Sequence, residues 1–301
     1  MVGSAIARHL AQCGDEVLKV DREFLDLRQQ TGVEAWLREN RPDAVVIAAA
    51  KVGGIYANDA FPADFLYDNL AIEANIVHSA HLAGIDRLLF LGSSCIYPKF
   101  AAQPIKEEAL LSGPLESTNE WYAIAKIAGI KLCQAYRKQH RRRYISVMPC
   151  NLYGPGDNFD ALTSHVLPAL IRKFHQAKTA DLAEAVVWGT GKPLREFLHV
   201  DDLARAVALC LDRYDGYEHI NCGAGSEFSI AALAKTVARA VGYDGKIVFD
   251  TGKPDGTPRK LLDSSRMAAL GWKPEISLED GIAGTYRWYR ENKAAGATLA
   301  A

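Results

Sequence analysis

The chain has 301 residues, of which 49% are apolar and 24% charged, and its formal net charge is −1. This is an ordinary globular composition with room for one large or two ordinary domains. The near-neutral balance excludes a global field that would draw the chain to nucleic acid or to an anionic membrane, so an anionic ligand must be met by local cations.

"MVGSAIARHLAQCGDE" (1–16) reads as an amphipathic helix rather than a signal peptide: Arg8 and His9 interrupt it and no cleavage site follows. No apolar run approaches the ~18 residues of a membrane span. A dinucleotide site normally opens with a strand, a glycine-rich turn and a helix. Here the chain opens inside such a turn, with Gly3 where the last glycine of the fingerprint would stand. A strand and further glycines are therefore expected upstream of Met1 in the gene, unless an unusual turn needs only one glycine. Predicted strands follow at 16–20 ("EVLKV"), 43–50 ("DAVVIAAA"), 87–92 ("RLLFLG") and 144–154 ("YISVMPCNLYG"). Predicted helices lie between them at 31–40, 71–84 and 122–140. Continuous apolar strands separated by helices indicate an α/β fold with a doubly wound parallel sheet, a Rossmann arrangement, whose first strand is apparently missing. Such sheets bind ligands at the carboxyl ends of their strands.

Beyond residue 155 the pattern loosens. A helix at "SHVLPALIRKFHQAK" is followed by strand-like "AVVWG", then "REFLHVDDLARAVALCL", "HINCG", "SIAALAKTVARAVG" and "KIVFD". We expect residues 1–154 to form a dinucleotide-binding domain. Residues 155–301 should form a smaller, mixed, mainly substrate-binding domain, with some segments returning to the first. The alanine-rich tail "KAAGATLAA" is expected to fray. The six cysteines (13, 95, 133, 150, 210 and 222) are scattered without a CxxC pair. Neither a disulfide framework nor a metal site is expected, and a reducing cytoplasm is the predicted location.

The strongest chemical constellation is Ser93 with Tyr122-x-x-x-Lys126. Four residues apart on a helix, Tyr122 and Lys126 share a face. An ammonium beside a phenol favours phenolate, which makes an acid-base group for a carbonyl or alcohol oxygen, and a serine hydroxyl can bond the same oxygen. The competing reading is a half-buried tyrosine with a snorkelling lysine beside it. "VDR" (20–22) ends the second predicted strand. An acid there usually bonds a ribose 2′-hydroxyl and an arginine meets a 2′-phosphate, so Asp21 and Arg22 point in opposite directions. A charged surface turn is the plain alternative.

Longer stretches carry a resemblance: "AAAKVGGI", "LFLGSSCIYPK", "EWYAIAKIAGIKLC", "MPCNLYGPGDNF", "SHVLPALIRKFH", "VVWGTGKPLREFLHVDDLA" and "KPDGTPRKLLD". On these the chain resembles the extended short-chain dehydrogenase/reductase family, and within it the enzymes that epimerise C3 and C5 of GDP-4-keto-6-deoxy-D-mannose and then reduce C4 with NADPH to give GDP-L-fucose. The resemblance implies an epimerase acid-base pair at Cys95 and His165, beside the reductase group of Ser93, Tyr122 and Lys126. A ketone at C4 acidifies the protons on C3 and C5, and inverting each centre needs a base on one face and an acid on the other. Cys95 lies two residues after Ser93, so in an extended segment both side chains would point the same way. Without the resemblance, Cys95 reads as a small buried residue and His165 as a helix cap or surface residue.

The resemblance further implies NADP, held by Gly3, Arg22, Leu91, Gly92, Ser93, Ser94, Lys126, Pro149, Cys150, Asn151, Leu152 and His165. For a GDP-sugar substrate it implies Lys173, Trp188, Arg195 and Asp255. Lys173 departs from the arginine common in the family, keeping the charge and losing the bidentate fork. Trp188 reads equally as core, and Arg259 and Lys260 read as solvated loop cations. A homodimer is implied, with the helices at 71–84 and 122–140 as its face. The alternatives are a nucleotide-sugar 4-epimerase or 4,6-dehydratase, or an inactive fragment. A 4,6-dehydratase would place an Asp-Glu pair where this chain has "SSC".

Overall fold

The computed structural model describes residues 1–161, 163–253 and 255–292, and the alanine-rich tail lies outside the described residues. Its first layer is a parallel sheet in the order β1-β2-β3-β7, from Ala44–Ile47 (β1), Arg87–Leu91 (β2), Arg143–Pro149 (β3) and Ile220–Cys222 (β7). The register pairs Ala44 with Arg87, Leu88 with Tyr144 and Val147 with Ile220. Leu88, Leu89 and Phe90 of β2 are fully buried, as a parallel strand covered on both faces requires.

Parallel neighbours need crossovers, and helices supply them. α1 (Val2–Gln12), α2 (Gln30–Asn40), α3 (Ile55–Ala60), α4 (Pro62–Leu82) and α5 (Glu120–His140) come from the first half of the chain. α4 packs on α5 and on α2, and α1 packs on α7 (Val200–Arg213).

A second layer holds β4 (Asn151–Tyr153), β6 (Leu194–His199), β8 (Glu227–Ser229) and β10 (Arg259–Lys260), with a separate parallel pair of β5 (Glu184–Trp188) and β9 (Lys246–Asp250). α6 (Val166–Thr179), α8 (Ile230–Val241) and α10 (Leu278–Asn292) pack there around Leu170, Phe174, Leu233, Val237 and Ile282. The short helix α9 (Ser265–Ala269) and α7 belong to the first core instead: Leu203, Val207, Ile220, Leu262, Met267 and Trp272 all join it. Among the described residues no helix is long and apolar enough to cross a membrane.

Several expectations are corrected. Residues 16–20 form no strand, because no strand runs beside them among the described residues and an extended segment becomes a strand only where a neighbour offers its ladder. The helix expected at 71–84 begins at Pro62, whose fixed φ suits a first helical position. The run at 144–154 is two strands. β3 stays in the first sheet, while β4 pairs with β6 in the second. "REFLHVDDLARAVALCL" is strand β6 followed at once by helix α7, where the His199 ring accepts from Asp201 N at 3.2 Å and Asp201 and Asp202 favour the helix start.

Asp202 is fully buried and ties this helix to the closing segment, accepting from Arg205, from Glu275 N (3.2 Å) and from Ile276 N (3.1 Å). Asp202→Ala strands these donors and should lower stability by about 3–5 kcal/mol. Arg8→Ala, which breaks a solvent-exposed pair with Asp201, should cost under about 1 kcal/mol. Urea midpoints of the two variants check the contrast.

Candidate active site

The site starts at the carboxyl end of β2. Gly92 follows the strand, and a Cβ there would lie 2.3 Å from Met148 Sδ on β3, so the rim closes tightly. Ser94–Ile96 then forms a single 3-10 turn with Ser93 as its cap, and Ser93 Oγ accepts from Cys95 N at 3.4 Å. The segment is not extended, as the side-chain alternation argument assumed. The turn itself brings the Ser93 hydroxyl to the Cys95 backbone. Cys95 is 6% exposed.

α5 brings Tyr122 and Lys126 over this rim. Lys126, 3% exposed, donates from Nζ to the Leu91 carbonyl at 3.1 Å and lies 4.6 Å from the centroid of the Phe90 ring and 5.8 Å from that of Tyr122. Phe65 meets Tyr122 edge-on, with centroids 6.4 Å apart. Burial pushes the Tyr122 phenol well above its ordinary value, and the neighbouring Cys95 and Glu73 add to the push. The expected lowering by Lys126 is therefore not found: its ammonium is engaged by a carbonyl and an aromatic face. Burial also pushes Lys126 down, against the charges of Glu73 and Cys95.

Glu73 belongs to no motif of the sequence and joins the site only through the fold. It sits on the buried stripe of α4 with Phe65, Asn69, Ile76 and Ala80, at 2% exposure. An acid on an apolar helical stripe was the available signal. A side chain on Gly129 would lie 2.8 Å from Glu73 Oε2 and 2.4 Å from Phe90 Cζ. Neither carboxyl oxygen has a hydrogen-bond partner of normal geometry. Burial pushes the group up to about 8, opposed by Lys126 and by the approaching Gly129 N–H.

His165 caps α6 without a side-chain cap bond. The residue is exposed, and the protein atoms packed around it push its imidazole below the ordinary value. No hydrogen bond joins it to Cys95 or Tyr122. It is placed by the loop after β1: Asn69 holds Lys51 N at 2.8 Å, Asn58 holds the carbonyl of Gly53 at 2.7 Å, and Gly54 N donates to Thr163 O at 2.8 Å. A Cβ on Gly54 would lie 2.6 Å from Ser164 O, and one on Gly53 would lie 3.1 Å from Phe65 Cζ. Two glycines thus let the His165 loop and the Phe65–Tyr122 pair approach one segment.

The residues on the cofactor side fit an adenine dinucleotide bearing a 2′-phosphate. Asp21 spends its Oδ1 on the N–H groups of Glu23 (3.1 Å) and Phe24 (2.9 Å). Arg22 is exposed, with no ion pair among the described residues. The first turn of α1 carries no acid and no side-chain cap, which suits an anion. At Gly3 an added Cβ would meet only Ala48 Cβ, at 3.6 Å, so packing alone does not demand glycine there. Pro149, Cys150, Asn151 and Leu152 span the passage between the sheets. Cys150 N donates to Cys222 O at 3.1 Å and Asn151 Nδ2 to Glu196 O at 2.7 Å. The first bond extends the β3–β7 pairing and the second lies within the β4–β6 pairing.

In the second layer Lys173 Nζ donates to Val186 O. Trp188 is 61% exposed with Lys253 over its ring, so it is not core. Asp255 accepts from Thr190 N (2.7 Å) and Thr190 Oγ1 (2.8 Å), which holds its carboxyl below the usual range. Arg195 is half-buried, and burial lowers its guanidinium while Asp255 opposes that. In the β10–β6 pairing Lys260 stands opposite Arg195. A small cavity reaches from Lys260 to Cys95, lined also by Tyr97, Lys99, Glu116 and Arg259.

The family model described as NAD dependent epimerase/dehydratase family matches residues 1–223. A putative GDP-L-fucose synthase 2 of Arabidopsis thaliana is 60% identical over 294 residues, which cover 97% of this chain and 89% of that protein. A GDP-L-fucose synthase of Sinorhizobium fredii is 59% identical over 294 residues, covering 98% of this chain and 94% of that one. Among solved structures, a GDP-L-fucose synthetase from Naegleria fowleri bound to NADP is similar with a TM-score of 0.89 at 29% identity, covering 97% of this chain and 91% of that one.

Glu73 supplies a test of the buried site. Its folded value lies near 8, above the ordinary carboxyl, so the folded state binds a proton that the unfolded chain releases, and stability falls as pH rises through that window. Glu73→Gln removes the titration. Its stability advantage over wild type should widen between about pH 5 and pH 8, by at most about 1.4 kcal/mol per pH unit. Parallel stability curves of the two proteins in urea would show that the carboxyl is solvated or paired.

Proposed function

The chain belongs to the NAD dependent epimerase/dehydratase family, and from that premise we propose that it is an NADPH-dependent epimerase-reductase converting GDP-4-keto-6-deoxy-D-mannose to GDP-L-fucose. Relatives named for this synthesis match it over nearly its full length at about 60% identity. The observation that carries the reading is the shared rim of Cys95, Ser93 and Tyr122, close enough for the charge of Cys95 to push the Tyr122 phenol up. A reductase needs only the hydroxyl and the phenol. A thiol at the same place answers the need for a carbon base.

In this reading Cys95 takes the proton from C3 or C5 and the His165 imidazolium returns one to the opposite face, so each centre inverts without net charge change on the sugar. Ser93 Oγ holds the C4 oxygen while the carbanion is delocalised onto it. Bound NADPH supplies the hydride for C4. Tyr122 then delivers its proton to that oxygen, and Lys126, fixed on Leu91, is held 5.8 Å from the centroid of the phenol ring. Arg22 is assigned to the 2′-phosphate, because the carboxylate beside it closes its own turn. Lys173 and Arg195 would meet the diphosphate, Trp188 offers an exposed face for guanine, and Asp255 offers an acceptor beside it. Exposed Tyr67, Leu82, Trp121 and Ile124 on or beside α4 and α5 support a homodimer through these helices. Six unpaired cysteines suit a cytoplasmic setting.

Cys95→Ser should suppress deuterium exchange at C3 and C5 by about 100-fold or more and leave reduction of a pre-epimerised ketone nearly intact. Tyr122→Phe should spare exchange and abolish NADPH oxidation. Normal exchange in the first variant would remove Cys95 as the base, and normal NADPH oxidation in the second would remove the reductase assignment. Arg22→Ala should raise KM for NADPH by about 10- to 100-fold and leave NADH kinetics nearly unchanged, because only NADPH carries the 2′-phosphate.

A further inference from the structure

A base must lose its proton first, and the surroundings of Cys95 oppose that. Burial pushes its thiol up, and the strongest opposing charge is Lys260, ahead of the hydrogen bond with Ser93 and the charge of Lys126. The groups that face the sulfur are Ser93 and Tyr122 on the rim, Lys126 from α5, and the cavity residues Lys99, Glu116, Arg259 and Lys260. Three of the four cations are already engaged. Lys126 donates to the Leu91 carbonyl, Lys99 pairs with Glu116 at 3.5 Å, and Arg259 pairs with Glu227 at 2.7 Å. Lys260 has neither a side-chain hydrogen bond nor an ion pair among the described residues.

The backbone of Lys260 is also fixed. β10 lies in register on β6, and the next residues are stapled to the segment after the cavity wall: Ile105 N donates to Leu261 O at 2.8 Å and Leu261 N donates to Gln103 Oε1 at 2.8 Å. A half-buried ammonium with no partner, beside the equally cationic Arg195, is costly unless an anion answers it. Glu116 in the same cavity is paired with Lys99, which leaves the Cys95 thiolate as the anion to answer Lys260.

We propose that Lys260 is a positioning residue that holds Cys95 as the thiolate, its ammonium facing the sulfur across the cavity that both line. The thiol proton passes to solvent as the ion pair forms, and the sulfur is then free to accept a proton from carbon. The inference rests on the reading of Cys95 as the epimerisation base, but the pairing itself is measurable without substrate. Thiolate absorbance is titrated in the full chain for wild type, Lys260→Gln and Lys260→Arg, with Cys95→Ser as the blank. Alkylation of Cys95 by iodoacetamide, read by mass spectrometry of its peptide, is followed over the same pH range, with exposed Cys13 as the internal control.

Lys260→Gln should move the Cys95 titration up by about one pH unit, a roughly tenfold smaller thiolate fraction at neutral pH. Lys260→Arg should keep it near wild type, and Cys13 should not move. An unchanged Cys95 titration in Lys260→Gln overturns the proposal, even if Cys95→Ser abolishes exchange and the function stands. A shifted titration with undiminished deuterium exchange upholds the ion pair and counts against Cys95 as the base.

Discussion

The bond from Lys126 to the Leu91 carbonyl is the constraint on which the site depends. It fastens the second turn of α5 to the last residue of β2, so the phenol on the helix and the hydroxyl and thiol just after the strand are held in one frame. A lysine buried to this extent must place its proton donors somewhere, and the strand end and the Phe90 ring take them. The same burial that makes the lysine costly makes it rigid. Catalytic groups placed on rigid elements keep their spacing far better than groups on loops.

The two layers carry different sets of side chains. The first carries Ser93, Cys95, Tyr122 and Lys126 at and over the end of β2, and the second carries Lys173, Trp188, Arg195 and Asp255. The layers are joined where β3 gives way to β4 across Cys150. The chain then returns to the first core through α7 and β7 and again at Leu262, Met267 and Trp272. The chain therefore crosses between the two cores more than once.

Much of this was legible in the sequence because the signals are local. Continuous apolar runs gave the central strands, and the Tyr122–Lys126 spacing placed both side chains on one helical face. What stayed hidden depends on contacts between distant segments. Residues 16–20 carry the composition of a strand, but pairing is a property of the neighbour as well. Ser93 and Cys95 meet through a 3-10 turn, which leaves no periodic mark in three residues. Glu73 reads as one acid in a long helix until α5 and β2 close over it. Lys260 reads as a solvated loop cation because its environment is built by a strand more than sixty residues earlier in the chain. The direction of the Tyr122 shift was missed for the same reason: proximity to an ammonium is visible in spacing, whereas the extent of burial is not.

The paired glycines after β1 carry a consequence for tolerance. The backbone of Gly54 is in contact with Ser164, next to His165, while Gly53 abuts the ring that leans on Tyr122. The imidazole loop and the phenol are thereby geared to one short span of main chain. Drift in either is transmitted to the other, so a substitution that shifts the His165 loop also displaces the ring packed on Tyr122.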